Sequence, residues 1–440
     1  MRKFLARCVA FAKRVDAVNT ALHYNPLYYG RVARLLRDVE AMDRVQRQAL
    51  VDRLTERTLL WARAAGARMP EDAGVTDWPI LEKDHLRDNV EALRNPRVFA
   101  VPASTGGTSG IPIRLWRSLR CIAAEQAFLE HFITVQGSSF RTARVASLRT
   151  DDVKPPSDRR PPFGIRTIGG RRLLLSSQHI AEDTIDWYAS ELNRFGPDIL
   201  WILPNSGESL ALRILQRGLK VRIPLILSTS EILHTNGRHI MANAFGAPVL
   251  ECYGLAERVI FASSAKEGEF WINPAYGLVE LRPLPIKDAS RGLASAEIIA
   301  TGFWNEAMPL VRYRTGDHLL FPDHYDEQDL NDVTLGLKPF TAISGRDKDY
   351  LISPRGELLV DIDNLPREST GVMRMQVIQE TRDNVRILVI PTPGFDVTDR
   401  EVLMAAVRRK VPDDMAVTIE LVDALERLPS GKVPYVIRRV

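Results

Sequence analysis

Cysteine is scarce in this sequence: Cys8, Cys121 and Cys252 are all there are in 440 residues. An odd, widely spaced set leaves no complete disulfide framework, and without a C-x-x-C pair there is no zinc signature. Reduced thiols in a cytoplasmic protein are the expectation. Net charge is also small, 59 Lys+Arg against 55 Asp+Glu, or +4. That is too little for charge alone to imply nucleic acid or an anionic membrane as partner. No apolar run approaches the ~18 residues of a spanning helix. Near the start, Arg7, Lys13 and Arg14 break any secretory core. Phe4, Leu5, Val9, Phe11 and Val15 read instead as one face of an amphipathic helix packed on the protein's own core, a membrane-surface role being the alternative. Internal repeats and low-complexity tracts are absent.

What is present suits a folded enzyme-sized chain. Hydrophobic residues make up 45% and charged residues 26%, which excludes disorder as the main state. At ~150 residues per domain the length implies two or three domains, or one large α/β body with an appendage. Residues 1–95 read mostly helical. From about 97 to 340, short apolar runs (144–148, 199–203, 225–227, 248–250) alternate with amphipathic segments (183–195, 209–217, 237–245). Such alternation predicts a mainly parallel sheet covered by helices. A third texture begins near 345, with strands at 376–379, 385–390 and 416–421 around a helix at 399–411. The expected fold is therefore α/β, with a large body over 1–344 and a small, mobile C-terminal α+β domain over 345–440.

Chemistry concentrates in five places. Ser104-Thr105-Gly106-Gly107-Thr108-Ser109-Gly110-Ile111-Pro112 follows a strand-like run. Its glycines let backbone amides approach an anion while its hydroxyls donate, which fits a phosphate cradle; alone, such a loop also reads as a mobile turn. It is not a Walker loop, and no G-x-S-x-G elbow marks a serine hydrolase. Glu251-Cys252-Tyr253-Gly254-Leu255-Ala256-Glu257 offers an aromatic face and a carboxylate, the groups that a stacked base and a magnesium-bound phosphate need. Pro309-Leu310-Val311-Arg312-Tyr313-Arg314-Thr315-Gly316-Asp317 ends a basic strand on a carboxylate that could accept both hydroxyls of a ribose. Gly345-Arg346-Asp347-Lys348-Asp349 and Leu428-Pro429-Ser430-Gly431-Lys432 complete the set. Singly, Tyr253 also reads as a core aromatic, Glu257 as a solvated helix residue, Asp317 as a turn former, and Arg346 and Lys432 as surface charges.

In this order and spacing the five motifs resemble the adenylate-forming enzymes, specifically the phenylacetate–coenzyme A ligase family with its CapK-like relatives. Weaker matches at Pro79-Ile80-Leu81-Glu82-Lys83, Leu175-Ser176-Ser177, Leu203-Pro204-Asn205-Ser206 and Ser228-Thr229-Ser230-Glu231 extend the resemblance from about residue 25 to the end. The resemblance implies that a carboxylate attacks the α-phosphate of ATP, that magnesium pyrophosphate leaves, and that a nucleophile captures the acyl-adenylate. It implies that Ser104, Thr105, Gly106, Gly107, Thr108 and Ser109 hold phosphates, with Thr108 in a catalytic role. Tyr253, with Gly254, would lie against adenine, Glu257 would help bind magnesium, and Asp317 would hold the ribose beside Arg346. Lys432 would bridge the acid and the α-phosphate, and Lys348 would be the hinge of the small domain.

The sequence departs from the pattern in three ways. Ile111 replaces a lysine common in the phosphate loop, the stretch after Glu257 lacks metal-binding Cys/His, and no basic residue follows Lys432 closely. For the acid pocket the resemblance points to Phe128, His131, Phe132, Trp201, Ser230 and Phe261. Their aromatic content suits a flat or aryl acid; core packing explains it equally. The acceptor stays open between coenzyme A, a carrier-protein thiol and an amine. A homodimer is admitted by family analogy, and a catalytically silent scaffold of the same fold is the competing class.

Overall fold

The computed structural model describes residues 14–104, 113–149, 153–155, 157–288, 292–346, 351–355, 358–359, 371–392, 394–408, 411–427 and 433–440. Helices α1 (Asp16–His23), α2 (Tyr29–Glu40), α3 (Arg44–Ala64) and α4 (Lys83–Asp88) come first. A capping box starts α3: Asp43 accepts the Gln46 N–H at 2.9 Å, and Gln46 accepts the Asp43 N–H at 3.0 Å. Two otherwise orphaned donors are thereby satisfied. Leu50, Val51 and Leu54 of α3 share one buried cluster with Val32 and Leu36 of α2.

The hairpin of β1 (Ala100–Ser104) and β2 (Arg114–Ser118) leads into α5 (Leu119–Val135), which Ser118 caps by accepting the Cys121 N–H at 3.1 Å. There follow β3 (Val145–Leu148), β4 (Gly164–Arg166), β5 (Arg172–Leu175), α6 (Ile185–Phe195), β6 (Ile199–Ile202), α7 (Pro204–Gln216), β7 (Leu225–Thr229), α8 (Thr235–Phe245), β8 (Val249–Gly254), β9 (Phe261–Lys266) and β10 (Glu269–Ile272). They form one sheet in the order β10-β9-β8-β7-β6-β3-β5-β4. The five strands β5-β3-β6-β7-β8 run parallel, and antiparallel strands close both edges. Parallel strands buried on both faces need near-continuous apolar runs, and Ile199, Leu200, Ile202, Ile226 and Leu227 are all fully buried. After β3 the chain moves to β5 on one side, then to β6, β7 and β8 on the other. Ligands of such sheets bind beyond the carboxyl ends of the strands at this reversal.

A second sheet is an antiparallel meander of β11 (Gly277–Asp288), β12 (Leu293–Gly302), β13 (Tyr313–Pro322) and β14 (Ala342–Arg346), with α9 (Glu327–Thr334) between its last two strands. The strand–helix alternation seen in the sequence did not foresee it, because its strands follow one another without covering helices. The C-terminal α+β domain opens on a two-stranded pair, β15 (Leu351–Ile352) and β16 (Leu358–Leu359), and has its own sheet of β17 (Val372–Thr381), β18 (Asn384–Pro391), β19 (Ala416–Leu421) and β20 (Val436–Arg438), in the order β19-β18-β17-β20. Val377, Ile387, Leu403, Ala406 and Met415 fill its separate core, packing α10 (Val397–Arg408) on the sheet.

Candidate active site

Several residues singled out in the sequence gather at the carboxyl ends of the parallel strands. Ser176 follows β5, Leu203 follows β6, Ser230 follows β7, and Tyr253 and Gly254 end β8. The Tyr253 hydroxyl donates to Oδ2 of Asp317 at 2.9 Å. Asp317 is 5% exposed on β13, its N–H bonds the Thr315 hydroxyl at 3.0 Å, and Arg346 of β14 stands opposite it in register. Glu257 is buried in the turn between β8 and β9, where its Oε1 accepts the Tyr313 hydroxyl at 2.8 Å. Through the bulge at Gly316, Tyr313, Thr315 and Asp317 are all buried on the inward face of β13. That face meets both ends of the 253–257 segment, and two motifs far apart in sequence become one site.

Charge holds the turn from outside. Arg117 donates to the Ala256 carbonyl at 2.7 Å. Arg258, left-handed at φ 60°, pairs with Glu125, whose second oxygen accepts the Tyr276 hydroxyl at 2.5 Å. Burial pushes Arg117 down to about 10 and the Cys121 thiol up to about 11. Burial also opposes the Arg258 charge, but the Glu125 carboxylate, Tyr276 and Cys121 together raise the guanidinium's pKa. A Cβ at Gly277 or Gly302 would run into the carbonyls of Val259 and Arg258, so glycine lets β11 and β12 close on this turn.

Arg312 is structural. At φ 49° it forks onto Glu280 (2.9 and 2.7 Å) and donates to the Thr76 and Trp78 carbonyls at 2.9 and 2.8 Å. The 79–83 segment is thereby pinned beside β13, with the Leu81 N–H on the Arg312 carbonyl at 2.9 Å. Arg314 pairs with Glu82 and Glu297 at 2.7 and 2.8 Å.

Among the pocket candidates, Trp201 is half-buried and donates to the Thr229 hydroxyl at 3.0 Å, while the Arg149 guanidinium lies 4.4 Å over its ring. Arg149 also donates to the hydroxyl of Ser230 at 3.3 Å, and Ser230 is left-handed at φ 73°. Phe128 and Phe261 meet tilted at 5.7 Å inside the core with Tyr276, and Phe132 packs in the same cluster. His131 stands 3.1 Å from Glu40 of α2. Thr105, Gly106, Gly107, Thr108, Ser109, Lys348 and Lys432 lie outside the described residues, as does the side chain of Arg346. Ser104, at the end of β1, pairs with Arg114 across the hairpin that flanks the glycine loop.

Sequence reasoning missed Gln376. Fully buried on β17, it accepts the Glu426 N–H at 2.9 Å and donates to the carbonyls of Glu426 and Pro434 at 3.0 and 2.8 Å. It thus clamps both stems of the segment that contains Lys432; a lone glutamine in a strand carries no local signal of this. Among the described residues no three His, Cys, Asp or Glu side chains gather as a metal cluster. Glu257 as a single buried carboxylate suits a magnesium ion that draws its other ligands from phosphates and water. No helix among the described residues is long and apolar enough to cross a membrane.

Residues 351–439 match the CapK C-terminal domain family. The chain is similar to Protein CapK of Staphylococcus aureus, 23% identical over 380 residues that cover 84% of this chain and 81% of that protein. Among solved structures it resembles a 2-hydroxyisobutyryl-CoA ligase in the postadenylation state, in complex with R3-HIB-AMP (TM-score 0.58, 14% identity, 89% of each chain). The same ligase with 2-HIB-AMP aligns with TM-score 0.58 and 16% identity over 89% of each chain. The fold is that of the adenylate-forming acyl-CoA ligases. The motif resemblance to that superfamily and to its CapK-like relatives stands, with the C-terminal match adding the CapK side.

Proposed function

We propose that this chain activates a carboxylic acid with ATP and passes the acyl group to a thiol, coenzyme A first among the acceptors. An oxygen of the acid attacks the α-phosphorus, the bond to the β-bridging oxygen breaks, and pyrophosphate leaves. The thiol sulfur then attacks the acyl carbon, AMP departs, and the thiol proton passes to solvent. The observation that carries this reading is the Tyr253–Asp317 hydrogen bond of 2.9 Å, which joins a base-sized aromatic face to a buried carboxylate suited to ribose hydroxyls.

In this reading Asp317 binds the ribose, the Tyr253 ring lies along adenine, and Arg346 stands beside them. The loop of Ser104, Thr105, Gly106, Gly107, Thr108 and Ser109 holds the phosphates. Magnesium, held by Glu257, supplies charge neutralisation at the phosphates. Lys432 bridges the acid and the α-phosphate, where fixed cations stabilise charge spread over the oxygens. Lys348 is the hinge about which the C-terminal domain turns between the two half-reactions. Trp201 and Ser230, at the strand ends, face the acid in this arrangement, and the related ligase bound to an acyl-adenylate supports the same chemistry.

The test is pyrophosphate release from ATP and magnesium with a panel of aryl, fatty and amino acids, with and without coenzyme A. Release with one acid class, stimulated by coenzyme A, is the expected result. Release without stimulation assigns the acceptor to an amine or carrier protein, and none from protein shown to bind ATP identifies a silent scaffold.

A further inference from the structure

Glu208 belongs to none of the motifs. It is fully buried on α7, and neither of its carboxylate oxygens accepts a hydrogen bond among the described residues. The cation facing it comes from the C-terminal domain: Nε of Arg374, on β17, stands 3.4 Å from Oε2. The other oxygen packs on α8 where a Cβ at Gly237 would collide with it, so the carboxylate occupies space that only glycine leaves open. Two more contacts cross the same seam. Asn236 of α8 donates to the Val372 carbonyl at 2.8 Å, and the ring of His234 lies 6.3 Å from that of Tyr435. Glu231 and Arg427 are the other charged groups close to this pair.

A buried carboxylate is tolerated only with its counter-charge, and removing one partner of such a pair is far more costly than replacing both by apolar groups. Here the counter-charge rides on the other domain. The attraction acts without a shared hydrogen bond, so separation of the domains breaks it in one step. We propose that Glu208 and Arg374 are the positioning pair that seats the C-terminal domain on α7 and α8, and that their attraction sets the population of this docked orientation. Its bearing on catalysis rests on the reading above, in which that domain turns between two half-reactions. The seat itself does not depend on that reading.

The experiment places dyes on the full chain through Val45→Cys and Val402→Cys, positions 75% and 40% exposed on α3 and α10, with Cys8→Ser to remove a competing thiol. Cys121 and Cys252 are buried and escape labelling. Energy transfer between the dyes at pH 8 reads the docked fraction without any substrate. Arg374→Met is expected to lower the docked-to-undocked ratio on the order of 100-fold. Gly237→Ala, which evicts the carboxylate, shifts it the same way. The double variant Glu208→Leu with Arg374→Met restores docking, because an apolar pair fills the seat. Glu208→Gln, the mildest change, moves the ratio in the direction of Arg374→Met and covers the case in which that variant fails to fold.

Unchanged transfer in Arg374→Met and Glu208→Gln, with the parent's circular dichroism and cooperative melting, overturns the proposal. So does a double variant as undocked as Arg374→Met. In undocked variants, pyrophosphate release and acyl transfer from a preformed acyl-adenylate change by different factors; equal factors refute the positioning role. A parent chain that releases no pyrophosphate with any acid sinks the proposed activity and leaves the energy-transfer result standing.

Discussion

At the scale of single residues, the proposed site separates groups assigned to substrate from groups that hold them. Asp317 and Glu257 are buried carboxylates that each receive a tyrosine hydroxyl, from Tyr253 and Tyr313. Those bonds fix the carboxylates before any ligand arrives, which lowers the ordering cost of binding. Lys432 has a different proposed task, because a lysine on a turning domain can serve one half-reaction and withdraw from the other. Lys432→Ala is expected to slow acyl-adenylate formation about 10²–10³-fold, or ~3–4 kcal/mol, by analogy with loss of one charge-stabilising donor. Single-turnover pyrophosphate release measures it, and an unchanged rate removes Lys432 from the mechanism.

Elements matter through what they bring against one another. Helix α5 supplies Glu125 to Arg258, and β2 supplies Arg117 to the Ala256 carbonyl, so the turn carrying Glu257 is braced from two directions. Glu125→Gln leaves the Arg258 guanidinium without its counter-charge. Folding stability is expected to fall by about 3 kcal/mol, the lower end of the cost of breaking a buried pair. Urea unfolding measures this, and a loss below ~0.5 kcal/mol would show that the brace is a surface contact. Several elements were legible from periodicity alone: the apolar run at 199–203 became β6 (Ile199–Ile202), and 237–245 lies within α8. The meander of β11 to β14 was not. Its strands follow one another without the covering helices that mark an α/β alternation, and strand propensity follows from packed neighbours more than from the residue itself.

For the whole molecule, the seam between body and C-terminal domain concentrates buried charge. Burial pushes the Glu208 carboxyl up to about 7, against the opposing pull of Arg374. A carboxyl raised on folding contributes stability that is fully present below its ordinary pKa near 4.5 and lost as pH rises through about 7. Between those limits the parent is expected to lose about 3 kcal/mol relative to Glu208→Gln, which does not titrate. Urea unfolding of both proteins from pH 4.5 to pH 8 tests this, and parallel stability curves would refute it.

Local sequence carries the alternation of strand and helix that makes an α/β body, the α+β texture of the C-terminal end, and the order of the motifs around Tyr253, Glu257 and Asp317. Those signals are local: side-chain period, turn chemistry and the spacing of a few polar groups depend on residues close in the chain. Long-range packing is what makes Tyr253 bond Asp317, Arg312 serve Glu280 and the 76–81 lead-in, and Gln376 clamp the stems around Lys432. The same holds for Glu208, which meets Arg374 across a domain seam 166 positions away by residue number. Each of these pairs is set by sheet register and by which faces pack together, and neither is written in the neighbourhood of either partner.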